Sequence, residues 1–148
     1  MTGPRLLAAV DLGSNSFRLL IGRVQTTEFG AQILPLDALK EPVRLAAGLD
    51  DRNLLDAPAR QRGIDALYRF GERLRSFSPD AVRAVATNTL RVAGNARHFL
   101  ASAEAALGFP IDVIAGREEA RLIYLGTAHA LPADATAAVP APAARAVQ

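Results

Sequence analysis

The stretch LLAAVDLGSNSFRLLIGRV, residues 6–24, decides the fold. Leu6 to Leu12 is an apolar run closed by Gly13, the pattern of a buried strand. A second apolar run, Phe17 to Val24, begins after only Gly13-Ser14-Asn15-Ser16. Two strands this close in sequence pair as an antiparallel hairpin. Their link sits at the end of a buried strand, where successive backbone N–H groups point at one place and Gly13 lets a ligand approach the main chain. Ser14, Asn15 and Ser16 add hydroxyl and amide donors suited to phosphate oxygens. Asp11, at the strand end, is placed to hold a hydrated Mg2+ that neutralises those phosphates. An ordinary hairpin turn has the same composition, and on local composition alone it is the better explanation.

Working outward, a third strand-like stretch runs from about Gly30 to Leu39, with a possible extension through Val43–Leu45. Pro35 and Pro42 interrupt it, which suits an edge strand or two short pieces. From Pro58 the period changes. Ile64, Leu67, Tyr68, Gly71 and Leu74 recur at helical spacing, with Arg60, Arg62, Asp65, Arg69, Glu72 and Arg73 on the other faces. Asp56 reads as the N-cap and Ser78-Pro79 closes the segment. Ala81 to Ala86 is strand-like. Asn95 reads as the cap of a helix running to about Leu107, which Gly108 and Pro110 stop. Ile111 to Ile114 is a further strand, and Gly116 precedes a last helix from Arg117 to about Leu131. This order predicts an α/β domain: a mixed five-stranded sheet flanked by helices. After Pro132 the chain is almost wholly Ala, Pro, Val and Thr, with Asp134 and Arg145 the only charges, and reads as a disordered tail.

Composition sets the bounds. Half of the 148 residues are hydrophobic, enough for one domain with a real core. The formal net charge is only +2, so no broad basic surface for nucleic acid is implied. Lys40 is the only lysine, and all other cationic side chains apart from histidine are arginine. Arginine forks bind phosphate oxygens in pairs, although a GC-rich genome also enriches arginine and alanine. With no cysteine, and only His98 and His129 as histidines, disulfides and a structural zinc site are not expected. No stretch approaches the roughly 20 apolar residues of a membrane span, so a cytoplasmic protein is the expectation.

Two further segments carry chemistry. Thr87-Asn88-Thr89-Leu90-Arg91 follows a strand, at the end where open α/β sheets bind ligands. There Arg91 is either a phosphate clamp or a solvated arginine at a helix entry. Gly116-Arg117-Glu118-Glu119-Ala120-Arg121 opens the last helix. Its glutamates offset the positive end of the helix dipole, or one of them takes a proton from water. Glu118 shares a face with Leu122 and Leu125, and Glu119 with Ile123 and Gly126, but spacing leaves open which faces a cleft. His129 suits a helix end, and His98 has no evident partner.

In this order and spacing, AAVDLGSNSFRLLIGRV, KEPVRLAAGLD, FGERLRSFSPDAVRAVATNTLRVAGNARHFL and FPIDVIAGREEARLIYLG resemble the exopolyphosphatase and guanosine pentaphosphate phosphohydrolase (Ppx/GppA) family. The resemblance covers most of residues 5 to 132. It implies a ribonuclease-H-like lobe of the actin, sugar-kinase and heat-shock ATPase superfamily. It also implies that Gly13, Ser14, Asn15 and Ser16 form a phosphate loop, that Arg18 and Arg91 bind phosphate, and that Glu119 is the catalytic base. The implied reaction is Mg2+-assisted hydrolysis of terminal phosphoanhydrides in inorganic polyphosphate or guanosine pentaphosphate, in proteins that are usually homodimers.

The family continues with a second phosphate loop of the Asp-Ile-Gly-Gly-Gly-Ser-Thr-Glu type, where this sequence has ATAAVPAPAARAVQ. The expectation is a first lobe at 1–132, a tail at 133–148, no second lobe, and little or no activity from this polypeptide alone. A non-catalytic module that binds phosphate or a partner is the alternative. A kinase of the same superfamily ranks last, because such proteins generally lack the GREEAR helix.

Overall fold

The computed structural model describes residues 5–114. Strands β1 (Arg5–Leu12) and β2 (Phe17–Thr27) form the expected hairpin, with Leu12 opposite Phe17 and Arg5 opposite Val24. Alternation decides which side faces inward. Val10, Leu12, Phe17 and Leu19 are buried on one face, and Asp11 and Arg18 lie opposite each other on the other face.

Strand β3 (Gly30–Glu41) pairs with β2 along its whole length and is the sheet's edge. Pro35 does not split it. The register shifts between Ile21 and Gly22, whose partners are Asp37 and Pro35, so Leu36 is the extra residue of a bulge. Val43 and Leu45 do not extend the strand. They are buried anchors that lead into a 3-10 turn at Ala46–Gly48.

Helix α1 (Ala57–Arg73) starts as the sequence indicates, with the Ala59 N–H donating to the Asp56 carboxylate at 2.8 Å. Its polar side does more than face water. Arg69 bonds Glu41 at 2.8 Å and Arg73 pairs with Asp37, so one row of the helix clamps the edge strand. Strand β4 (Val82–Ala86) follows, then a four-residue helix α2 (Thr89–Val92), α3 (Ala96–Leu107) and β5 (Asp112–Val113). Gly108, at φ 88°, ends α3 in the left-handed conformation that glycine adopts without penalty. The last strand is shorter than the Ile111–Ile114 read from sequence.

The sheet order is β3-β2-β1-β4-β5. β1 and β2 are antiparallel, as are β2 and β3, whereas β4 runs parallel to β1 and β5 parallel to β4. This is the mixed ribonuclease-H-like arrangement. α1 and α3 pack together over the buried face, where Phe17, Phe70 and Phe99 are fully enclosed with Leu12, Leu67 and Leu107. Their close approach depends on Gly71, where a Cβ would lie 2.7 Å from the Ala106 carbonyl oxygen. No helix among the described residues is long and apolar enough to cross a membrane. The expected helix from Arg117 to Leu131 and the tail at 133–148 lie outside the described residues.

Candidate phosphate-binding site

Because β1 and β4 are parallel neighbours, their carboxyl ends, Leu12 and Ala86, lie side by side. Open α/β sheets bind ligands at this end. β5 leaves at the same end, where the Ile114 N–H donates to the Ala86 carbonyl at 2.9 Å. Two sequence-predicted segments, 13–16 and 87–91, therefore meet at one place. The third, Gly116–Arg121, lies outside the described residues, and Glu119 with it.

The loop between β1 and β2 is built in an unusual way for a plain turn. The Ser14 carbonyl accepts from Ala46 N–H at 3.0 Å, the Asn15 carbonyl from Arg44 N–H at 2.8 Å, and the Ser16 carbonyl from Gly13 N–H at 3.1 Å. No acceptor among the described residues meets the N–H groups of Ser14, Asn15 or Ser16. The partial negative charges of the loop are thus tied back into the protein, and its N–H donors have no acceptor among the described residues, the arrangement an anion-binding turn requires. Gly13 fits this tight turn because a Cβ there would lie 2.9 Å from the Ser16 carbonyl oxygen.

The loop after β4 is joined to this one. Thr89, 3 % exposed, donates its hydroxyl to the Ser14 hydroxyl at 2.8 Å. Accepting that bond leaves the Ser14 proton free to donate elsewhere. Asn88, just before, sits at φ 37° and ψ −88°, a strained backbone for a side-chain-bearing residue. Arg91 stands two positions beyond Thr89, on α2, exposed and without an ion-pair partner among the described residues.

Asn95 holds the N-cap position of α3, but its side chain does not cap the helix. Its amide instead accepts from Leu55 N–H at 2.9 Å and donates to the Leu55 carbonyl at 3.1 Å. Gly94 N–H also bonds the Asn53 carbonyl at 2.8 Å. The β3–α1 connection therefore braces both loops, at 44–46 and at 53–55.

Asp11 and Arg18 lie on the sheet face away from the α1–α3 core, with Lys40 beside Arg18 and Val85 beside Asp11. The Asp11 Oδ1 atom is buried and has no hydrogen-bond partner among the described residues. A carboxylate oxygen without a partner among the described residues, two positions before the 13–16 loop, fits one ligand of Mg2+, an ion that takes few carboxylates and completes its shell with water and phosphate oxygens. No group of three or more His, Cys, Asp or Glu gathers into a metal cage among the described residues.

Of the residues named from sequence, the structure places Gly13, Ser14, Asn15, Ser16 and Arg91 at one end of the sheet, and Asp11 and Arg18 on the adjoining face. Sequence reasoning did not find Thr89 as the partner of Ser14, Asn95 as a brace, or the role of residues 44–46. A threonine three residues beyond a strand end, within a polar segment already singled out, was a usable signal for the first. The others depend on contacts across tens of residues and leave no local trace.

The family model described as "Ppx/GppA phosphatase family" matches residues 23–139. The Ppx/GppA enzyme of Aquifex aeolicus is 26 % identical over 87 % of this chain, with a TM-score of 0.73. An exopolyphosphatase-like protein is 30 % identical over 84 % of this chain, with a TM-score of 0.69. An exopolyphosphatase from Cytophaga hutchinsonii is 26 % identical over 86 %, with a TM-score of 0.68. The present chain spans 42 %, 37 % and 40 % of those three structures. It belongs to the Ppx/GppA phosphatase family.

Proposed function

We propose that this chain is the phosphate-gripping lobe of a hydrolase that removes terminal phosphates from inorganic polyphosphate or guanosine pentaphosphate. The observation that carries the reading is the loop Ser14–Ser16, with its carbonyls tied back and its N–H groups unbonded among the described residues. Such a cradle binds a terminal phosphate without a conformational change. The Ser14 hydroxyl, oriented by Thr89, adds a donor. Arg91 and Arg18 supply charge from the neighbouring helix and strand, each able to take two phosphate oxygens.

Bound Mg2+ would neutralise charge on the phosphate oxygens, and Asp11 is the residue that would hold it. Glu119 is proposed to orient a water and accept its proton; the family resemblance, not the geometry, supports that role. Because this chain spans 42 % of the Aquifex aeolicus relative, residues 1–148 by themselves are proposed to bind phosphate but turn it over slowly.

The test measures binding and hydrolysis separately. Tripolyphosphate and guanosine pentaphosphate are titrated with Mg2+ while orthophosphate release is followed. Binding that Ser14→Ala and Arg91→Met each weaken supports the reading. No binding of either ligand at millimolar concentration refutes it. Tight binding with no release, even in a chain extended to the relatives' length, favours the non-catalytic phosphate-binding module instead.

A further inference from the structure

We infer that Arg62, on α1, is a positioning residue for the phosphate loop. Sequence spacing sets Arg62 apart from the helix's apolar face, but its guanidinium does not simply point into solvent. Its Nε donates to the Val43 carbonyl at 2.8 Å, and its Nη2 to the Arg44 carbonyl at 3.3 Å. Those are the carbonyls of the segment whose N–H groups hold the loop: Arg44 N–H on Asn15 and Ala46 N–H on Ser14. One guanidinium fork on a rigid helix thereby fixes both peptide planes that precede and follow the Arg44 α-carbon.

The fixing has work to do. Arg44 sits at φ 53°, a left-handed backbone that non-glycine residues adopt only when their surroundings hold them there. That conformation turns the Arg44 N–H toward Asn15 while the side chains of Val43 and Leu45 go into the core, where they are 2 % and 0 % exposed. Arg62 is suited to the task because its fork is planar and stays charged, so it grips two carbonyls at once. Lysine would reach one. If the grip is lost, residue 44 can relax toward φ < 0, the Asn15 carbonyl is released, and it can swing toward the anion it now faces away from.

This inference rests on the reading of Ser14–Ser16 as a phosphate cradle, but its test does not. Amide hydrogen exchange and amide chemical shifts are measured by NMR on the whole chain without ligand, for the wild type, Arg62→Met, Arg62→Lys and the control Arg69→Met. The control removes a guanidinium from the same helix that clamps β3 at Glu41 instead. In Arg62→Met the Arg44 and Ala46 amides should exchange about tenfold faster, the loss of protection expected for a charged donor to backbone. The Ser14, Asn15 and Ser16 resonances should move, and amides in β4 and α3 should keep their protection. Arg62→Lys should fall between the two, and Arg69→Met should leave the loop unmoved. Affinity for tripolyphosphate should drop about fivefold in Arg62→Met, with Arg62→Lys partly restoring it.

Unchanged exchange at Arg44 and Ala46 with unmoved loop resonances, in a folded Arg62→Met or Arg62→Lys chain, would overturn the inference. Equal loop perturbation by Arg69→Met would overturn it too, since Arg62 would then be no more than a helix–sheet contact. Faster exchange in a protein whose wild type binds no tripolyphosphate would leave the positioning role intact and remove the phosphate reading alone.

Discussion

Replacing Thr89 by valine removes one hydroxyl and almost nothing else, which makes it a clean probe of the joint between the two loops. Thr89 is 3 % exposed, and its hydroxyl lies 2.8 Å from that of Ser14, an ordinary length for a hydroxyl pair. A neutral hydrogen bond of this kind contributes about 1 kcal/mol net to stability. Ser14 is only partly buried, so water can take the place of the lost donor, and valine gains apolar contact where threonine had a hydroxyl. The fold should therefore change little: a melting-temperature shift of about 4 °C or less. The consequence for ligand binding is larger relative to its baseline, because the Ser14 proton loses its fixed direction. A double-mutant cycle with Ser14→Ala isolates the coupling from the changed packing. Tripolyphosphate affinity, measured by calorimetry with Mg2+ for the wild type, both single variants and the double variant, should give a coupling of about 1 kcal/mol, a fivefold effect. Strictly additive losses, with all chains folded, would refute the claim that Thr89 orients Ser14.

Three further outcomes follow from packing and capping. Gly71→Ala drives a methyl to within 2.7 Å of a backbone oxygen of α3, which cannot rotate away, so urea denaturation should show a loss of about 1–3 kcal/mol. Asp56→Ala removes the cap of α1 at Ala59 N–H and should cost about 1 kcal/mol in the same assay, with Asp56→Asn recovering most of it. Asn95→Ala should leave α3 helical by circular dichroism, since the side chain does not cap it. The Leu55 amide should nevertheless lose protection from exchange, because that N–H donates to Asn95.

The hairpin was legible because its two signals agree: an apolar run for each strand and a link too short for any other pairing. Asp56 and Gly108 were legible for the same reason, since caps act on neighbours within four residues. What stayed hidden is non-local. Pro35 left an edge strand and two short pieces open; β3 is the edge strand, and the bulge at Leu36 that carries it past Pro35 is a property of two strands rather than one. Asn95 looks like any N-cap, but its partner Leu55 is 40 residues away. Helix α2 spans four residues, too few to show a period. The polar side of α1 carries no mark to show that Arg62, Arg69 and Arg73 each have a defined partner. The loop at 13–16 is the mixed case. Its composition suits either a plain turn or phosphate, with the turn favoured, and the family resemblance tips it toward phosphate, while the tied-back carbonyls depend on residues 44–46, which no local pattern connects to it.

The central claim, that three backbone N–H groups at the end of β1 form an anion cradle, is tested most directly by an amide-resolved NMR titration of the chain with tripolyphosphate. The account predicts that the Ser14, Asn15 and Ser16 amides move furthest and downfield, with Thr89 and Arg91 next and residues at the far end of the sheet, such as Arg5 and Asp80, unmoved. Shifts spread evenly over exposed arginines, with those loop amides silent at saturating ligand, would contradict it.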